Sequence, residues 1–79
     1  MLWPTVIQRV GQNIIQRREE LNLSQDRLAL DSYVDRTHLR KIETGNTNPS
    51  LKVIYKLARR LKIPVSDLLN VRKPLSPRK

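Results

Sequence analysis

The 79-residue chain has no cysteine and no phenylalanine, a single histidine, a single tryptophan and two glycines. Without cysteine there is neither a disulfide framework nor a thiolate metal site. The lone imidazole, His38, has no second imidazole or thiol to share a metal with, and no cofactor is expected. Apolar residues never run beyond three in succession, as in Leu28-Ala29-Leu30, which excludes a membrane-spanning helix and the apolar segment of a signal peptide. A cytoplasmic location is the expectation. Neither a phosphate-binding glycine loop nor a catalytic pair of carboxylates is present, and the Asp and Ser residues stand where caps and turns explain them. A chain of this length forms one domain and buries only about 60% of the surface its unfolded form exposes. It has room for one core and little for a deep enzyme cleft, so no enzymatic activity is expected.

Acidic residues are also scarce, seven Asp and Glu against sixteen Lys and Arg, for a net charge of +9. The imbalance is one-sided. Residues 1–35 carry four basic and five acidic side chains, whereas residues 36–79 carry twelve basic and two acidic. Such an excess favours a polyanionic partner, nucleic acid or an anionic membrane surface. No segment combines a broad exposed apolar face with the basic residues, which argues against the membrane.

Helical periodicity and cap signals divide the chain into five short segments without strand-like alternation, so the fold class is all-α. Pro4 and Thr5 open a first helix that runs to about Leu21, with Val6, Val10, Ile14 and Leu21 on one face. Gly11 interrupts it at a cost of roughly 1 kcal/mol relative to Ala, which tertiary packing must offset. Ser24 N-caps a second helix with Leu28 and Ala29 facing inward, and Asp26 suits its positive dipole end. Asp35 caps a third helix with the apolar pair Leu39 and Ile42, closed by Gly45. Ser50 caps a fourth, with Leu51, Ile54, Leu57, Ala58 and Leu61 as its apolar positions and Lys52, Lys56 and Arg59 or Arg60 opposite. Pro64 starts a short fifth helix through about Asn70, whose main apolar residues are Leu68 and Leu69. Residues 1–70 are the expected domain, and residues 71–79, with Pro74, Pro77 and four basic groups, a flexible tail.

The second and third segments, two short helices about three residues apart, have the spacing of a helix-turn-helix, whose second helix enters the DNA major groove. Spacing alone is a weak signal, since many small bundles contain such a pair. The residues add to it. Leu23-Ser24-Gln25-Asp26-Arg27-Leu28-Ala29, Val34-Asp35-Arg36-Thr37-His38-Leu39-Arg40-Lys41-Ile42-Glu43-Thr44-Gly45 and Asn48-Pro49-Ser50-Leu51 together resemble the Cro and phage-repressor (XRE-type) helix-turn-helix family over roughly residues 8–70. The Asp35-Arg36-Thr37 start of the third helix and the small size look most like the controller proteins of restriction-modification systems.

The resemblance implies a compact five-helix bundle that binds double-stranded operator DNA as a homodimer and regulates a nearby promoter. Arg36, Thr37 and Lys41 match the family's base-contacting positions, with Arg40 beside them. The chemistry agrees: Arg36 can donate a bidentate pair to guanine O6 and N7, worth roughly 1–3 kcal/mol of discrimination. Gln25 matches the position that clamps a phosphate and braces the recognition helix, and Asn46, Thr47 and Asn48 fall in the loop that contacts backbone; His38, on the same helix, joins the phosphate-contacting set. Glu43 would repel phosphate if it faced DNA. The family pairs it with an arginine of the first helix, here Arg18, as a partly buried bridge. The family's two-fold contact is often made by the fifth helix and its flanks, which gives Ile63, Val65, Leu68, Leu69 and Val71 as interface candidates. No small-molecule ligand is expected.

Three positions depart from the family pattern. Tyr33 occupies a turn position usually held by glycine, so either the turn differs or the position is strained. Arg27 replaces the acidic residue that completes a capping box after Ser24. Pro64 replaces a Ser or Thr cap. Two other functions share the pattern: an antitoxin-type autorepressor that also binds a toxin, and a protein-interaction module or coactivator that does not read sequence.

Overall fold

The computed structural model describes residues 3–70, which form five helices: α1 (Trp3–Glu20), α2 (Gln25–Ser32), α3 (Arg36–Glu43), α4 (Leu51–Leu61) and α5 (Val65–Leu68). No strand occurs among the described residues. The basic tail expected at residues 71–79, with Val71, lies outside them.

Local chemistry sets the start of each central helix. Ser24 Oγ accepts from the Arg27 N–H at 3.0 Å, Asp35 Oδ2 from His38 N–H at 3.2 Å, and Ser50 Oγ from Val53 N–H at 3.2 Å. Each bond satisfies one of the four amides that a helix N-terminus leaves without a partner. Arg27 cannot return the favour as an acid would in a capping box, and its side chain instead pairs with Asp31 at 3.4 Å.

Four helices end in the same way. After α1, α2, α3 and α4 one residue turns left-handed: Asn22 (φ 56°), Tyr33 (φ 56°), Gly45 (φ 76°) and Lys62 (φ 60°). In each case the following N–H reaches back five residues, as from Val34 to Ala29 O and from Asn46 to Lys41 O, both about 3.0 Å or less. This is the Schellman closure, and glycine is its least costly occupant. Only Gly45 meets that preference. The turn at Tyr33 therefore keeps the helix-turn-helix geometry, and the position is strained.

One core joins the helices. Val10 and Ile14 of α1 meet Leu28 and Ala29 of α2, Leu39 and Ile42 of α3, Ile54, Leu57, Ala58 and Leu61 of α4, and Leu68 of α5. Two apolar positions differ from the sequence expectation. Leu51 is 69% exposed, because in the first turn of α4 it stands roughly 70° from the centre of the buried stripe at 100° per residue. Leu69 is 43% exposed, because α5 stops at Leu68 rather than running to Asn70. Its end is fixed from α1: Asn13 donates from Nδ2 to the carbonyls of both Leu68 and Asn70 at 2.9 Å. One turn along, Arg17 Nε donates to Leu61 O at 2.9 Å, supplying a partner for a carbonyl at the end of α4.

Candidate nucleic-acid interface

α3 is held from behind by α1 and α2. Leu39, Ile42 and Glu43 point inward and are buried, while Arg36, Thr37, Arg40 and Lys41 are exposed. At 100° per residue the four exposed positions fall within an arc of about 140°. A single helix face thus carries three cations and one hydroxyl, with His38 half-buried at its margin.

Glu43 is 5% exposed and receives three hydrogen bonds. Arg18 donates Nε–H to Oε2 at 2.9 Å and Nη2–H to Oε1 at 3.1 Å, and Gln25 Nε2 donates to Oε1 at 2.8 Å. Arg18 also donates from Nη1 to Leu23 O at 3.0 Å. A carboxylate so enclosed is tolerable because it is paired and hydrogen-bonded. The arrangement links α1, the α1–α2 turn, the start of α2 and the end of α3 through four side-chain bonds. Gln25 lies at the first position of α2, and the bond it makes is to this carboxylate.

Close approach of backbones fixes the same crossing. A Cβ on Gly11 would lie 2.5 Å from Ile42 O and 2.7 Å from Glu43 O, and one on Gly45 would lie 2.8 Å from Gln8 Cγ. Both glycines of the chain stand at the crossing of α1 with the end of α3. The cost of Gly11 within a helix is offset here, since α1 rests on the last carbonyls of α3.

Arg36 has a partner that the sequence pattern did not reveal. Its Nη1 lies 3.3 Å from Asp26 Oδ2, both side chains being well exposed. The pair spans ten residues, outside any helical repeat, and joins the first turn of α2 to the first position of α3. In the loop after α3, Asn46 Nδ2 donates to Thr44 Oγ1 at 3.0 Å, and that hydroxyl donates to Arg40 O at 3.0 Å. Asn46 and Asn48 are exposed and Thr47 half-buried.

The expected two-fold residues separate. Leu68 is fully enclosed within the single subunit, so it has no surface to offer a partner, and its place among the interface candidates is corrected. Ile63 and Val65 are half-buried and pack on the core, while Leu69 stands out. Among the described residues no group of three His, Asp or Glu side chains converges to hold a metal, and no helix is long and apolar enough to cross a membrane.

Relatives share both sequence and shape. Control protein C.BamHI of Bacillus amyloliquefaciens is 38% identical over 61 residues, covering 76% of this chain and 75% of that protein. The crystal structure of the restriction-modification controller protein C.AhdI from Aeromonas hydrophila superposes with a TM-score of 0.76 at 37% identity, over 78% of this chain and 94% of that one. The clp gene regulator ClgR from Corynebacterium glutamicum gives a TM-score of 0.77 over 81% of this chain and 68% of that one, at 22% identity a likeness of fold alone. Residues 14–68 match the helix-turn-helix family, which contains the braced α2–α3 pair entire, and the chain belongs to that family.

Proposed function

We propose that this protein is a transcriptional regulator of the restriction-modification controller kind, which binds double-stranded DNA sequence-specifically as a homodimer on a palindromic operator. The observation that carries the reading is the two-sided character of α3. Its inner side is held by Glu43, Arg18, Gln25 and Gly11, and its outer arc presents Arg36, Thr37, Arg40 and Lys41. A groove-reading helix needs both properties, because base-edge contacts discriminate only when the helix is fixed in depth and angle.

In this reading Arg36, Thr37, Arg40 and Lys41 contact bases, and His38, Asn46, Thr47 and Asn48 contact phosphates on either side of the groove. Gln25 serves first as a brace; the rest of its amide faces the backbone. Arg36 exchanges Asp26 for a guanine or phosphate on binding, which is inexpensive because an exposed ion pair contributes only about 0–1 kcal/mol. Leu69, flanked by Ile63 and Val65, forms the two-fold contact. The protein acts in the cytoplasm, at the nucleoid.

The test is selection from random duplexes with the purified full chain. Enrichment of an inverted repeat, with half-sites about 34–36 Å apart or a multiple of that, is the expected result. Binding should weaken steeply with salt as counterions are released. Recovery of no repeat, with equal affinity for random duplexes, overturns the reading.

A further inference from the structure

Between α2 and α4 lies a cleft of about 330 Å³ to which α3 contributes nothing. Asp31, Ser32 and Tyr33 line it from α2 and the turn that follows, and Tyr55, Lys56, Arg59 and Arg60 from α4. Three features of this cleft leave side-chain groups that the fold does not fully employ. Ser32 is 4% exposed and its Oγ has no hydrogen-bond partner, whereas buried hydroxyls are nearly always bonded. Tyr33 closes α2 through its left-handed backbone, but at 89% exposure its ring packs on nothing in the fold. Lys56 and Arg59 have no carboxylate partner among the described residues, Arg59 lying instead 6.0 Å from the centre of the Tyr55 ring. The one acid present, Asp31, is already engaged by Arg60 at 2.6 Å and Arg27 at 3.4 Å.

We propose that this cleft docks an acidic segment of a partner protein, seating one apolar or aromatic side chain between Tyr33 and Tyr55, with neighbouring carboxylates on Lys56 and Arg59. A main-chain group of the segment bonds to Ser32 Oγ. Tyrosine and arginine are the residue types enriched at the centres of protein interfaces, where an anchor enters a pocket and a polar rim surrounds it. A phosphodiester chain fits less well. It would be drawn by the cations, but a duplex backbone gains nothing from a concave floor bounded by tyrosines. A peptide presents its carboxylates only where its sequence puts them. Because α3 takes no part, the segment and a DNA duplex can be held together, which is the arrangement a regulator needs to recruit another protein to its operator.

The inference is tested by following the backbone amides of the full chain by NMR during titration with three probes. These are a short peptide of Asp and Glu around a central Trp-Leu pair, the same peptide with Ser in place of Trp and Leu, and a short oligothymidylate. The expected result is saturable shifts centred on Ser32, Tyr33, Tyr55 and Arg59 with the first peptide, and binding at least about ten-fold weaker with the second, a factor corresponding to about 1.4 kcal/mol. Tyr55→Ala should weaken the first peptide by a similar factor while its melting temperature and duplex affinity stay as in the parent. Ser32→Ala provides a second variant that retains both tyrosines and should also weaken the peptide. Equal binding of the two peptides overturns the inference as mere charge attraction. Cleft shifts that are stronger with oligothymidylate reassign the surface to nucleic acid. Shifts confined to Arg36, Arg40 and Lys41, or none at all, leave the cleft without this role.

Discussion

Gly11 of α1 lies so close to Ile42 of α3 that a Cβ in place of its hydrogen would come within 2.5 Å of the Ile42 carbonyl oxygen. The obstacle is backbone at the end of the recognition helix, so it cannot rotate away as a flexible side chain would. Gly11→Ala gains about 1 kcal/mol of helix propensity and meets an overpacking cost of about 1–3 kcal/mol. The variant should be less stable by about 1 kcal/mol, a fall in melting temperature of about 4–8 °C for a domain of this size. Operator affinity should fall further than the folded fraction explains, because relief requires α1 and the end of α3 to move apart. Denaturant melts and mobility shifts well below the melting point measure the two effects separately; an unchanged affinity would mean that this contact does not set the position of α3.

Glu43 supplies the second constraint. In Glu43→Gln the guanidinium of Arg18 loses its counter-charge while its side chain remains mostly enclosed, at 16% exposure. Breaking one side of a buried pair commonly costs about 3–5 kcal/mol. The variant should therefore melt at a much lower temperature and bind the operator weakly. The double variant Arg18→Met with Glu43→Leu leaves no buried charge and should recover most of the stability. It should not recover full DNA affinity, because the bonds from Gln25 and to Leu23 O that orient the helices are gone. Calorimetry and binding on all three proteins distinguish a stabilising role from an orienting one.

The elements most legible in the sequence are those with short-range causes. Ser24, Asp35 and Ser50 act on amides three residues ahead, and Leu28, Leu39, Ile42, Ile54 and Leu57 follow the helical repeat, so each was identifiable without knowledge of its neighbours. Local pattern is insufficient where a distant group intervenes. The end of α5 is decided by Asn13, 55 residues away from Leu68, and nothing near Asn70 signals it. Leu51 satisfies the apolar pattern but lies off the centre of the buried stripe of α4 and is largely exposed. Asp26 reads as a helix-dipole residue, and its bond to Arg36 depends on the angle between α2 and α3. That angle is set by the turn at Tyr33, where the family's usual glycine raised the question of strain and the structure answers it with a left-handed tyrosine.

Asp26 is therefore expected to restrain DNA binding. Asp26→Asn removes a negative charge beside the recognition helix and releases Arg36 from its exposed partner. Since such a pair contributes about 0–1 kcal/mol, operator affinity should rise by up to about five-fold at low salt. The gain should shrink as salt is added, because an ion pair this exposed is itself weakened by salt screening. Stability should change little. Arg36→Ala in the same background should abolish the gain and flatten the preference at one base pair of each half-site, a loss of roughly 1–3 kcal/mol of discrimination. If Asp26→Asn weakens binding instead, Asp26 orients Arg36 for the groove rather than holding it back.

Tyr33→Gly tests the cause of the strain as well as its size. A residue other than glycine in the left-handed region costs roughly 1–2 kcal/mol, and glycine returns roughly 0.5–1 kcal/mol of that through its freer unfolded chain. The exposed ring contributes little packing to lose. The variant should gain up to about 1 kcal/mol, with a rise of a few degrees in melting temperature, and its operator affinity should stay unchanged because the turn keeps its left-handed closure. An activity that falls only when a second protein is present, in a variant that is more stable and binds DNA normally, would tie the tyrosine to the α2–α4 cleft. A variant that melts lower would instead show that the ring stabilises the turn it strains.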